Sequence, residues 1–194
     1  MIRLVVGLGN PGRRYVATRH NVGFLALDVL RDSLGLSSYE ERFSGLFTLG
    51  EPSGCSGAVA LLKPSTFMNL SGSSVQMAMA FLKVDSSSVI VLHDELDLGF
   101  GVVRVKVGGG HAGHNGLRSL IDRISSSDFV RVRIGVGRPP VGFSGDVGDY
   151  VLSGFDPVEQ AGLPGVIEEA VDAVRRVLLS GPSAAMNQVN ARSS

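Results

Sequence analysis

Four polar segments of the 194-residue chain hold the side chains best suited to chemistry. "GNPGRRYVATRHN" holds Asn10, Tyr15 and His20, and "KPSTFMNLSG" holds Met68 and Asn69. "HDELD" closes an apolar run and carries Asp94, and "GGGHAGHNG" places His114 and Asn115 at the start of a helical pattern. One histidine, one aspartate and three asparagines suffice for hydrolysis without a metal. A neutral imidazole takes a proton from water, and a carboxylate orients the ring and stabilises the imidazolium that forms. Asparagine amides donate to a developing oxyanion and accept from a bound water. The nucleophile-elbow pattern G-x-S-x-G is absent, so direct attack by water is favoured over an acyl-enzyme.

Each of these residues also has a simpler role open to it. Asn10 and Asn69 suit turns and caps, His20 suits a helix start, and Asp94 suits an ion pair with arginine. A metal-dependent esterase would need His93, His111 and His114 together, a set that lacks a fourth ligand. Gly7, Gly9 and Gly12 match the dinucleotide pattern G-x-G-x-x-G, but that pattern requires a helix at once. Here the helical periodicity begins only near Asn21, and the acids some distance on, Asp28 and Asp32, fall inside that helix. The glycines more simply let the chain turn sharply and present Asn10.

These segments must be held by elements that the sequence outlines. Residues 2–8 and the run "SSVIVLHDELDL" read as strands covered on both faces. "VVRVKVG" and "FVRVRIGVG" alternate, as strands with one wetter face do. "FSGLFTLG" and "GAVALLKP" read as two more strands. Helices are expected from about Asn21 to Leu34, over "SSVQMAMAFLK" and "NGLRSLIDRI", and late in the chain, strongest after Pro164. The expectation is a single-domain α/β fold over residues 1–194, a three-layer sandwich around a mixed, mostly parallel twisted sheet. The glycine-rich segment 140–155 is expected to form a mobile lid. The four polar segments are expected beyond strand ends, where open α/β sheets place their sites.

Composition narrows the class. The chain is 44% hydrophobic and 19% charged with no net charge, ordinary for a globular protein. No apolar run reaches the roughly 20 residues that span a bilayer. The start "MIRLVVGLG" reads as a strand and not a signal peptide. The lone Cys55 forms no internal disulfide, and the expected location is cytoplasmic. The neutral average conceals a segregation. Residues 101–138 hold seven Lys or Arg against two Asp, and residues 139–194 hold three basic against seven acidic side chains. A local basic face can bind phosphate on a neutral protein. An RNA-binding module without catalysis would need that basic stretch but not the pair His20 and Asp94.

The same segments carry a resemblance. "GLGNPGRRYVATRHNVGF", "KPSTFMNLSG" and "HDELDLGFGVVRVKVGGGHAGHNGLRS" resemble, in order, the three signature motifs of the bacterial-type peptidyl-tRNA hydrolases. "FVRVRIGVGRP" and "DYVLSGF" follow in the family's order. One departure stands out: Gly99 lies where the family usually has a proline after "DELDL". The resemblance implies a purine-nucleoside-phosphorylase-like α/β fold, a monomer, no cofactor and no metal. The implied reaction is hydrolysis of the ester joining a peptide to the 3′-terminal ribose of tRNA. Carried over by motif, His20 is the catalytic base and Asp94 its partner. Asn10, Asn69 and Asn115 hold the substrate end and the attacking water. Met68 and Tyr15 line the cleft, with His114 also on the substrate. Lys106 and Arg133 clamp the tRNA 5′-phosphate beside its acceptor stem and 3′ end.

Overall fold

The computed structural model describes residues 2–193. In chain order its elements are β1 (Arg3–Gly7), α1 (Val22–Ser33), β2 (Glu40–Arg42), β3 (Gly45–Gly50), β4 (Val59–Pro64), α2 (Ser71–Leu82), β5 (Val89–Glu95), β6 (Val103–Val107), α3 (Asn115–Ile124), β7 (Val130–Gly135), α4 (Val147–Val151) and α5 (Pro157–Asn190). The unalternating runs become central strands. Along β1, Leu4 and Val6 enter one apolar core and Val5 the other, since successive side chains leave a strand on opposite faces. Residues of α1 and α5 complete the core that holds Val5, and residues of α2 and α3 complete the core that holds Leu4 and Val6. That is the expected three-layer sandwich.

The sheet runs β2-β3-β4-β1-β5-β7-β6. Strands β4, β1, β5 and β7 are parallel, while β2, β3 and β6 join antiparallel. The sheet is therefore mixed, as expected, with β1, β2, β4, β5 and β7 running one way and β3 and β6 the other. β3 returns into β4 through a short loop, which suffices for antiparallel neighbours, whereas parallel ones need a crossover. The carboxyl ends of β1, β4 and β5 share one edge, and three of the four polar segments leave from it. The fourth does not. It follows the reversed strand β6, so it starts at the opposite edge and crosses the sheet before His114 reaches Asp94.

Two close approaches set the site. A Cβ on Gly23 would lie 2.5 Å from the Leu92 carbonyl oxygen and 2.7 Å from that of Leu8. Only glycine lets α1 start against β1 and β5, which brings His20, just ahead of α1, beside Asp94, just beyond Leu92. A Cβ on Gly72 would lie 2.1 Å from the Ser119 carbonyl oxygen. That contact draws the first turn of α2 onto α3 and gathers Asn69 and Asn115.

The carboxyl-terminal third is more ordered than its composition suggests. Within the glycine-rich segment, Asp146 and Asp149 form a reciprocal capping box that starts α4. Asp156 and Glu159 do the same for α5, whose first residue is Pro157. The last helix thus begins well before Pro164 and bends at Gly181, where φ is 79°. Beyond the bend, Asn190 lies on β6. Its Oδ1 accepts from Val105 N at 2.9 Å and its Nδ2 donates to Val105 O at 3.0 Å. No helix among the described residues is long and apolar enough to cross a membrane.

Candidate active site

His20 sits in a 3-10 turn, Arg19–Asn21, and all three residues of the turn are buried. Its Nδ1 lies 2.9 Å from each oxygen of Asp94, which is also buried. An Nδ1–H donated to the carboxylate leaves the lone pair of Nε2 as the basic atom. Burial alone would lower the pKa of His20, but the Asp94 charge and hydrogen bond outweigh it, and the net direction is up. Burial would raise Asp94, but the facing His20 and His114 hold it well below the usual carboxylate range.

His114, expected from the motif on the substrate, is placed as a second donor to Asp94. It caps α3: its Nδ1 accepts from Gly116 N at 3.1 Å and Leu117 N at 3.3 Å. The proton must then sit on Nε2, which donates to Asp94 Oδ1 at 2.9 Å. Ligand atoms of His20, Asp94 and His114 lie within 4.8 Å of one another, a spacing that would suit a metal ion. The cap argues otherwise, because it occupies the Nδ1 lone pair and leaves Nε2 a donor where a metal needs an acceptor. The alternative set His93, His111 and His114 fares no better. His93 Nδ1 donates to the Asp94 carbonyl at 2.8 Å, and His111 Nδ1 accepts from Gly113 N at 3.0 Å. Burial pushes His93 down to about 3, so it packs against His114 as a neutral ring.

Asn10 is fixed from two sides. Its Oδ1 accepts from Met68 N at 2.8 Å, and its backbone pairs with the side chain of Asn21 at 2.9 Å in both directions. Among the described residues the NH₂ of Asn10 has no acceptor bonded to it, and it can donate into the cavity that the residue lines. Asn21 is a member of this network that motif reading did not single out; its place next to His20 was the available signal.

Two cavities meet at His20. One, of about 540 Å³, is lined by Asn10, Met68, Asn69 and Asn115, with Phe67 and Arg118. The other, of about 340 Å³, is lined by Asp94, His114, Lys106, Arg131 and Arg133. His20, Asn115, Gly148 and Val151 line both, so they are arms of one cleft. Tyr15 lines neither; it lies in the turn Arg13–Tyr15 with the Arg14 guanidinium 4.6 Å from its ring centre.

In the second arm, Lys106 pairs across the ladder with Arg131, and Arg133 pairs with Arg104. Lys106 and Arg133 are thus diagonal neighbours, about 7 Å apart in such a ladder. Arg131 spends its guanidinium on the carbonyls of Gly109 and Gly110. Arg133 Nε donates to Glu95 at 2.9 Å.

The whole chain is similar to proteins of one activity. The family model described as peptidyl-tRNA hydrolase matches residues 4–194. A peptidyl-tRNA hydrolase of Sorangium cellulosum is 59% identical over 97% of this chain and 84% of its own length. One from Geobacter metallireducens is 49% identical over 97% and 94%. The crystal structure of peptidyl-tRNA hydrolase from Acinetobacter baumannii superposes with a TM-score of 0.88 at 42% identity, covering 98% of this chain and 95% of that one. With a family model spanning nearly every residue and the same fold in a solved relative, the chain belongs to the peptidyl-tRNA hydrolase family.

Proposed function

We propose that the protein cleaves the ester between a peptide and the 3′-terminal ribose of tRNA with a water activated at His20 Nε2. The observation that carries this reading is the position of His20. Its Nδ1 is bound to Asp94, and the ring stands where an amide-lined arm meets a basic arm.

The water gives its proton to Nε2 as its oxygen attacks the ester carbonyl. Asp94 stabilises the imidazolium. The tetrahedral oxyanion takes hydrogen bonds from the asparagine amides, with Asn10, Asn69 and Asn115 nearest. Collapse expels the ribose oxygen, which takes the proton back from His20. A positioned base contributes ~10²–10⁴-fold, and one oxyanion donor ~10²–10³-fold. The peptide lies in the amide arm against Met68. The tRNA acceptor stem approaches from the basic arm, with its 5′-phosphate between Lys106 and Arg133. Residues 1–194 act as one domain around the single sheet. Val147, Gly148 and Val151 line the cleft, so movement of the 140–155 segment would open or close it as a lid. The protein works as a monomer in the cytoplasm.

The test is release of free tRNA from an N-blocked peptidyl-tRNA in magnesium buffer, with and without a chelator of transition metals. Equal release in both supports the reading. Binding without release would make the protein an RNA-binding module, and release abolished by the chelator would make it a metal-dependent esterase.

A further inference from the structure

Three consecutive side chains of the His20 turn leave in three directions. His20 reaches Asp94, and Asn21 reaches Asn10. Arg19 turns away from the cleft toward the junction of α4 and α5, although a buried guanidinium is costly unless paired. There Nη1 donates to Ser153 Oγ at 2.7 Å and to the Gly154 carbonyl. Nη2 pairs with Glu159, whose Oε2 also accepts from Asp156 N at 2.9 Å and so caps α5. The guanidinium lies 4.3 Å from the ring centre of Tyr150 and 5.4 Å from that of Phe155. Backbone pairing adds little more: Arg19 N donates to Ser153 O at 3.1 Å, and Thr18 bridges Gly154.

We propose that Arg19 is a positioning residue for His20, tying the turn that carries the base to the segment whose Gly148 and Val151 wall both arms of the cleft. The planar fork suits this, because it reaches a hydroxyl, a carbonyl and a carboxylate from one rigid group. Phe155 and Tyr150 hold its faces. The His20 turn is then gripped from the loop after β1 through Asn21, from β5 through Asp94 and from α5 through Arg19. Loss of the third grip leaves the ring free to tilt from Asp94. The charged and titratable groups facing His20 are Asp94 on β5 and His114 ahead of α3. Those facing Arg19 are Glu159 and Tyr150, so Arg19 reaches the base through the backbone and not through its charge.

The proposal rests on His20 acting as the base, and the experiment separates the two. Arg19→Lys, Arg19→Ala, Glu159→Gln and His20→Ala are assayed on peptidyl-tRNA for kcat, KM and the pH profile of kcat/KM, with thermal melting of each. Arg19→Lys keeps a charge for Glu159 but loses the fork. Its kcat should fall about 10-fold with KM within about twofold, since misplacement of a catalytic group by about 1 Å can cost 10². Its acid limb should move to lower pH as His20 loses alignment with Asp94. Glu159→Gln keeps the cap and loses the ion pair, and should show a smaller change of the same kind. If these variants melt earlier but keep the wild-type kcat per folded molecule and an unmoved acid limb, Arg19 is only structural and the proposal fails. Should Arg19→Ala not fold, Arg19→Lys and Glu159→Gln decide by the same readings. Full activity in His20→Ala would overturn the base assignment and this proposal with it. An inactive His20→Ala beside a normal Arg19→Lys overturns this proposal alone.

Discussion

The amide arm and the basic arm of the cleft share one imidazole but are organised by opposite means. In the amide arm, polar side chains are fixed by backbone groups: Asn10 takes the Met68 N–H, and the α2–α3 contact at Gly72 seats Asn69 and Asn115. In the basic arm, Arg131 is held by backbone carbonyls, but two of the four lining cations rest on carboxylate side chains that a ligand can replace. Arg133 is on Glu95 and Arg138 on Asp97, while Lys106 makes no hydrogen bond or ion pair among the described residues. The difference fits the two tasks proposed for them. Donors to a transition state must be placed beforehand, whereas phosphate contacts need charge and tolerate exchange. It also explains how a chain without net charge keeps a basic site: Glu95 and Asp97 sit beside the arginines they balance.

The largest effect should come from the imidazole common to both arms. His20→Ala is expected to lower kcat by roughly 10² or more while tRNA affinity stays near normal. Asp94→Asn should lose less, though still much. It turns an acceptor of two N–H groups into an amide that faces at least one of them with a donor. The pH dependence follows from the direction of the His20 shift. The base works when neutral, so activity falls as pH drops through a pKa raised above the ordinary histidine value. Removal of the Asp94 charge should carry that limb to lower pH, and NMR titration of the His20 ring should move the same way. An unmoved ring would separate the two residues.

A change in the basic arm alone should look different. Lys106→Ala with Arg133→Ala should raise KM for peptidyl-tRNA with kcat nearly unchanged, as loss of uniform binding does. The salt dependence should flatten by about one log unit of slope per lost phosphate contact at most. A minimal substrate with the 3′ end but no 5′-phosphate should be hydrolysed normally. Equal losses on both substrates would show that the arms are not separate in function. The smallest effect should come from Gly99→Pro. A Cβ at Gly99 would meet nothing within 4 Å. Restoring the family's proline should add about 0.4–1 kcal/mol of stability through the unfolded chain, read as a rise in Tm with kcat unchanged.

What could be read from the sequence follows a physical pattern. α3 begins and ends where the periodicity of "NGLRSLIDRI" placed it, because a strong amphipathic face is a local signal. The buried strands β1 and β5 were equally plain. β2 was not, since its three residues are charged and exposed and become a strand only by pairing with β3 after the positive-φ residues Phe43 and Ser44. The site divided in the same way. Motifs located His20, Asp94 and the asparagines, but the second donor on Asp94 depends on a loop crossing the sheet from a reversed strand. Nothing in the spacing of His114 from Asp94 announces that. Arg19 carries no local signal for a similar reason: its partners Ser153, Gly154 and Glu159 lie far along the chain.

The two Asn190 bonds to Val105 bear on how the protein survives at high concentration. An open sheet ends in rows of unpaired N–H and C=O groups that invite a second chain to add a strand. At β2 that invitation is weakened by shortness and by Glu40, Glu41 and Arg42. At β6 the strand is longer and partly apolar, and a side-chain amide takes the place that a foreign peptide group would occupy. The bend at Gly181 is what carries Asn190 there. The last stretch of α5 therefore acts as an aggregation guard on the strand that also bears Lys106, closing that edge to strand addition by other copies of the chain.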